Sequence, residues 1–237
     1  MAKKRTIGIL ITGPVNTALV GRFGEYDDLF RSMLGEEAFS FSSYWVVDME
    51  FPKSVNDCDA WLVTGSLHGT YEEHDFIPPL EKFIRDCRDQ QRPMVGICFG
   101  HQIMAQALGC RVEKFDGGWG LGTQTYNVTL GEDDTTEQKT LFAVHQDQVV
   151  EQPRESKIIA KSEFCSVAGL SYGNEKSNWG LSFQPHPEFS SDWVEALIEA
   201  RRGDAFTPDI ADRGLASLKE PDDSADIGAA IRNFLLQ

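Results

Sequence analysis

The chain has 237 residues, of which 41% are hydrophobic and 25% charged, a balance that belongs to globular proteins with a buried core. Lys and Arg total 22 against 37 Asp and Glu, a formal net charge of -15, which disfavours a surface built to hold nucleic acid or anionic lipid. Neither nucleic acid nor a membrane is expected as a partner. The apolar windows at 7–11 and 94–98 are far shorter than the ~20 residues of a spanning helix. After the basic start at 1–5 only about five apolar residues follow, too few for a secretory segment, so the expected location is cytoplasmic. Five cysteines, an odd number without a C-x-x-C pair, argue against a disulfide framework and a zinc knuckle.

Residues 6–12, Thr-Ile-Gly-Ile-Leu-Ile-Thr, form a nearly continuous apolar run closed by Gly13-Pro14, as in a strand covered on both faces. Tyr26, Leu29, Phe30, Met33 and Leu34 recur at helical spacing before Gly35, which predicts an amphipathic helix. Residues 39–47 and 60–64 read as strands. Pro79 leads a second helix bearing Leu80, Phe83, Ile84 and Cys87, and 93–97 returns as a strand. This alternation predicts a doubly wound α/β core. Shorter strands are expected at 111–115, 124–130, 157–161 and 179–184, with 132–137 as a polar, acidic turn. Ser190 or Ser191 can cap a helix carrying Trp193, Leu197 and Ile198 that stops at Gly203. Residues 204–226 read as a surface excursion, and Ile227, Ala230, Ile231, Phe234 and Leu235 mark a last helix docked on the core. The whole chain, 1–237, is expected to form one domain with its core at about 6–200.

The chemistry concentrates where Gly96-Ile97-Cys98-Phe99-Gly100 joins a strand to the helix expected at 100–108. A nucleophile on a sharp strand-to-helix turn needs small residues two positions to either side, because neighbouring backbone crowds it. At a helix N-terminus the free N–H groups and the dipole favour a thiolate, and the Phe99 N–H is placed to receive an oxyanion. Cys58, Cys87, Cys110 and Cys165 lack such a setting. A thiol nucleophile needs a base. Among His68, His74, His101, His145 and His186, only His186 sits between two prolines with a carboxylate, Glu188, two residues on, where it can hold the imidazole in one tautomer.

Gly96-Ile-Cys-Phe-Gly-His-Gln102, the upstream Thr64-Gly65-Ser66 and the downstream Gln184-Pro-His-Pro-Glu188 together resemble the class I (triad-type) glutamine amidotransferase family, over roughly residues 6–200. The resemblance implies a flavodoxin-like α/β fold, a doubly wound and mostly parallel central sheet flanked by helices, with additional antiparallel strands. It implies that Cys98 attacks the γ-carboxamide of glutamine or of another γ-glutamyl compound. His186 would then be base and acid, with Glu188 orienting it. The backbone of Gly65, Ser66 and Phe99 would form the oxyanion hole, and Gln102 would help hold the glutamyl group. Where several members carry Ser-His-Gly, this chain has Val144-His145-Gln146-Asp147, and where many carry Gly-Gly-Pro it has Gly65-Ser66-Leu67. Both departures look more like the γ-glutamyl peptidase branch and the stand-alone members similar to the glutaminase domain of GMP synthase, and they make His145, Gln146 and Asp147 candidate substrate contacts.

The glycine-rich 117–122 contains no Lys and opens no helix, so it reads as a loop near the mouth of the site, with Trp119 bearing on substrate choice. One glutaminase-type domain uses nearly the whole length, so the protein is expected to be either a glutaminase subunit that hands ammonia to a separate synthetase or a free-standing γ-glutamyl hydrolase. No cofactor is expected, and the scattered His and Cys offer no metal-ligand spacing of the usual kinds. Two readings compete with catalysis by Cys98, His186 and Glu188. One is a non-catalytic module that binds a metabolite or a partner in the same pocket. The other is a superfamily relative that takes its base just after the cysteine, from His101.

Overall fold

A computed structural model describes residues 4–131, 135–174 and 177–237. In chain order the elements are β1 (Arg5–Leu10), α1 (Thr17–Phe23), α2 (Tyr26–Leu34), β2 (Phe39–Tyr44), β3 (Ala60–Val63), α3 (Ile77–Asp89), β4 (Met94–Ile97) and α4 (Phe99–Ala107). They continue as β5 (Val112–Lys114), β6 (Gly120–Thr129), β7 (Thr136–His145), β8 (Asp147–Val149), β9 (Ser156–Lys161), β10 (Gly169–Asn174), β11 (Ser177–Phe183), α5 (Ser191–Arg201), α6 (Pro208–Ser217) and α7 (Ser224–Leu235).

Among the described residues one nine-stranded sheet runs β2-β1-β3-β4-β11-β10-β9-β6-β7. The first five strands are mutually parallel, and β10, β9, β6 and β7 continue the sheet antiparallel. β3 and β4 are buried at every position, which is why 60–64 and 93–97 read as unbroken apolar runs rather than as alternations. On one face α2 and α7 bury Phe30, Leu34, Ile227, Ile231, Phe234 and Leu235 against β1 and β3. On the other, α3 and α4 bury Leu80, Phe83, Ile84, Phe99, Ile103 and Met104. Each such side chain, taken fully out of water, contributes about 1.5–3 kcal/mol. A third cluster joins α1, α5 and α6 to β6 through Leu19, Leu121, Trp193, Val194, Ile198 and Ala211.

The structure departs from the expectations at identifiable places. Residues 204–226 are more than a surface excursion, because they contain α6, opened by Pro208 and laid on β6. Gly122, at φ +85, lies so close to α6 that a Cβ would fall 2.1 Å from Ser217 Oγ and 2.6 Å from the Gly214 carbonyl oxygen. Ser217 in turn accepts the Thr123 N–H at 2.9 Å. The stretch 117–122 is therefore only half loop, since Gly120–Gly122 begin β6. β7 and β10 are not expected from the sequence because each mixes polar and apolar residues without clean alternation. The run at 111–115 became β5, which pairs with β8 outside the main sheet. Of the acidic turn, Glu132, Asp133 and Asp134 lie outside the described residues, while Thr136 and Glu137 open β7. Residues 1–3 of the basic start are likewise outside them. No helix among the described residues is long and apolar enough to cross a membrane.

Candidate active site

The parallel strands β3, β4 and β11 end side by side, at the place where open α/β sheets offer a crevice. Cys98 follows β4 directly, with φ 53 and ψ -104, in the left-handed half of the map that a side chain rarely enters and that marks stored strain. Its neighbours hold it there. Cys98 N–H donates to the Phe183 carbonyl of β11 at 2.8 Å, and its carbonyl accepts the Gln102 N–H at 3.0 Å. A Cβ at position 96 would lie 2.4 Å from the Gly100 carbonyl oxygen, and one at position 100 would lie 2.3 Å from that of Val63. The glycines on either side of the cysteine are thus required by backbone against backbone. Phe99 is the first residue of α4, so its N–H has no acceptor within the helix.

His186 comes from the segment just beyond β11, tied by its N–H to the Phe142 carbonyl of β7 at 2.8 Å. Its Nδ1 lies 2.7 Å from Glu188 Oε1, and both side chains are almost wholly buried. Phe189 stacks on the imidazole at 4.0 Å between centroids, and Trp193 stacks on Phe189 at 3.6 Å, so the ring is fixed by its face as well as its edge. Burial alone would push this imidazole down. The Glu188 carboxylate and the facing Cys98 outweigh burial and hold His186 up at about 10. With Nδ1 engaged by Glu188, Nε2 is the nitrogen left for the thiol. A Cβ added at Gly65 would meet His186 Cε1 at 3.2 Å and Cys98 Cβ at 3.8 Å, so the end of β3 closes on the same point.

The other candidates surround this point. Ser66, Cys98, Gln102, His145, Asp147 and His186 line one cavity of about 570 Å³, within the range of about 300–1,000 Å³ usual for small-molecule sites. Gln102 Nε2 donates to the Asp147 carbonyl and to Gln184 Oε1, each at 3.0 Å. Gln146 also lines the cavity, but its amide group donates to the Phe115 carbonyl at 3.1 Å. Asp147 accepts the Tyr71 hydroxyl at 3.1 Å, and burial holds its carboxyl above the ordinary range. His145 is held down to about 3 by burial. Its Nδ1 lies 3.2 Å from the Asp147 carbonyl, while Nε2 is buried without a partner among the described residues. A ring that donates from Nδ1 to a carbonyl presents a lone pair at Nε2.

His101 points elsewhere. It is fully buried between the Val167 carbonyl, 2.9 Å from Nε2, and Ser182 Oγ, 2.7 Å from Nδ1, and burial pushes it down to about 4. Both nitrogens are occupied in the core, away from the cavity. Sequence reasoning missed Tyr26, Tyr71, Lys114 and Arg201, which also line the cavity. The signals were absent, because Arg201 reads as a last-turn helix residue and Tyr26 as part of an apolar stripe. Trp119 lines the cavity as well, edge-on to Phe206 at 5.0 Å.

A buried thiol, imidazole and carboxylate in sequence, with an N–H that has no acceptor within its helix beside the thiol, are the parts of a nucleophilic acyl-transfer site. The family model for class I glutamine amidotransferases matches residues 37–198. Gamma-glutamyl peptidase 4 of Arabidopsis thaliana is 29% identical over 210 residues, covering 84% of this chain and 82% of that one. A glutamine-hydrolysing GMP synthase subunit of Archaeoglobus fulgidus is 32% identical over 115 residues, 45% of this chain and 61% of that one. In fold, a glutamine amidotransferase from Thermotoga maritima superposes with a TM-score of 0.73 at 19% identity, covering 100% of this chain and 97% of that one. The chain belongs to the class I glutamine amidotransferase family, as a hydrolase of that type.

Proposed function

We propose that the protein hydrolyses γ-glutamyl amide bonds by covalent catalysis at Cys98, as a free-standing γ-glutamyl hydrolase. The imidazole of His186, held protonated up to about 10, already carries the Cys98 proton on Nε2 when substrate arrives, and the sulfur bonds to the γ-carbonyl carbon. The resulting oxyanion is received by the N–H of Phe99 and those of the Gly65-Ser66 turn. His186 then protonates the departing nitrogen as the carbon–nitrogen bond breaks, leaving a γ-glutamyl thioester on Cys98. Water, deprotonated by His186, attacks the thioester and releases glutamate and the thiol. Glu188 keeps Nδ1 protonated and the ring oriented throughout.

The observation that carries this reading is the position of His186, bonded to Glu188 at 2.7 Å and electrostatically coupled to Cys98. The lone pair of His145 Nε2 suits the α-ammonium of the glutamyl group, with Gln102 and Asp147 beside it. The free-standing reading is supported by the likeness to a γ-glutamyl peptidase over most of both chains, against a GMP synthase subunit that aligns over less than half of this one.

The test is glutamate release by the purified protein alone from glutamine, glutathione, γ-glutamyl dipeptides and γ-glutamyl amines, with Cys98→Ala as the blank. Release that depends on Cys98 is the expected result, and the preferred leaving group names the substrate class. No release from any of them, with Cys98 still reactive toward a thiol probe, would contradict the free-standing reading and point to a glutaminase that needs a synthetase partner.

A further inference from the structure

We propose that His68, Glu72 and His74, on the loop between β3 and α3, bind a divalent transition-metal ion of the zinc class at the mouth of the cavity. One donor atom from each of the three lies within 4.8 Å of the other two. His74 Nε2 is 2.9 Å and His68 Nδ1 3.9 Å from the same oxygen, Glu72 Oε2. Metal–ligand bonds of roughly 2.0–2.2 Å in tetrahedral array require donor atoms about 3.4 Å apart, so small side-chain rotations bring the set into register.

The loop is shaped to hold the three together. His68 N–H donates to Ser66 Oγ, Glu72 N–H to the Gly69 carbonyl and His74 N–H to the Glu72 carbonyl, each at 3.1 Å. The buried Phe76 lies against both imidazoles, at 5.9 and 5.8 Å between centroids, and the imidazoles themselves approach to 4.1 Å. Among the described residues no Lys or Arg forms an ion pair with Glu72; its ionic partners are the two imidazoles. The Asp147 carboxylate adds negative potential to the same rim, on a chain of net charge -15.

The donor set selects the ion. Two imidazoles with one carboxylate suit zinc and its neighbours and not magnesium or calcium, which take oxygen shells. Three protein ligands leave a fourth position open. His68 and Glu72 also line the cavity, so that position faces the space beside Ser66 and the ion would stiffen the turn that follows the end of β3. The sequence hid this set because all three ligands come from one seven-residue turn, His-x-x-x-Glu-x-His, outside any helix.

The test is titration of the chelator-treated protein with Co²⁺, followed by the visible absorption of a tetrahedral site, and with Zn²⁺ by calorimetry. The wild type, Cys98→Ala, His74→Gln and His68→Ala/His74→Ala are compared. One ion per chain is expected in the wild type and in Cys98→Ala alike. Affinity should fall at least tenfold in His74→Gln, and binding should be lost in the double variant. Circular dichroism checks that each variant is folded, and His74→Gln alone decides the matter if the double variant is not. No binding by the wild type, equal affinity in His74→Gln, or loss of the ion in Cys98→Ala would each overturn the proposal. The last would place the ion on the thiol instead. None of these readouts depends on turnover, so failure here is distinct from failure of the γ-glutamyl hydrolase reading.

Discussion

The two halves of the sheet do different work around one cavity. The parallel half, β1 to β4 with β11, brings Cys98 and His186 to adjacent strand ends; a carbonyl of β11 holds Cys98 N–H, Gly96 and Gly100 leave no room for a Cβ, and a carbonyl of β7 reaches across to hold His186 N–H. The antiparallel half, through β6 and β7, together with β8 outside the main sheet, supplies the wall that carries Trp119, His145, Gln146 and Asp147. Their side chains are held by other side chains and by single carbonyls. Reaction and recognition should therefore separate by region, with losses in turnover from the first and shifts in KM and leaving-group preference from the second.

The largest expected break comes from Cys98→Ala. Glutamate release should fall on the order of 10⁴- to 10⁶-fold with the thermal midpoint unchanged, as steady-state kinetics and calorimetry would report. Glu188→Gln should follow at about 10²- to 10⁴-fold in kcat, and it should also change the pH dependence of stability. The folded value for His186, about 10, lies above the ordinary value near ~6.5, so its contribution is complete below pH ~6.5 and fades as the pH rises toward 10. Urea melts from pH 6 to 10 should lose that slope in Glu188→Gln.

Gly100→Ala tests the backbone side of the comparison. A Cβ placed 2.3 Å from the Val63 carbonyl oxygen should cost about 3 kcal/mol in equilibrium unfolding. The buried histidines of the two halves sharpen the contrast with His186. Burial holds His101 down to about 4 and His145 to about 3, so each contributes stability above pH ~6.5 that is lost as the pH falls through its folded value. Melts between pH 7 and 4 should show this acid loss, and it should shrink in His145→Gln. The smallest effect belongs to the wall itself, where Trp119→Ala or Asp147→Asn should change KM several-fold across γ-glutamyl substrates while kcat stays within about threefold. Equal losses of kcat from wall variants and from Glu188→Gln would undo the division of labour.

How far the sequence reached follows the same line. The parallel half was legible because its strands are buried on both faces and leave apolar runs, and because Gly-x-Cys-x-Gly and Pro-His-Pro-Glu are local patterns whose steric causes can be stated from the residues. The antiparallel half was read in fragments. β7 shows no clean period, since its first positions face solvent and its last enter the core. α6 hid in a polar stretch because its buried contacts are small residues, Ala211 and Gly214. The cavity residues Tyr71, Lys114 and Arg201 come from three separate elements or loops and meet only in the fold. His68, Glu72 and His74 carry ligand chemistry on a turn whose geometry no periodicity reports.

The central claim is a γ-glutamyl thioester on Cys98. It is tested most directly by rapid acid quench of the protein with a γ-glutamyl substrate during turnover, followed by mass spectrometry of the peptide that contains Cys98. The account predicts one γ-glutamyl group on Cys98 that appears before glutamate and disappears as substrate is exhausted. Glutamate release without that adduct, or with the γ-glutamyl group on any other residue, would contradict it.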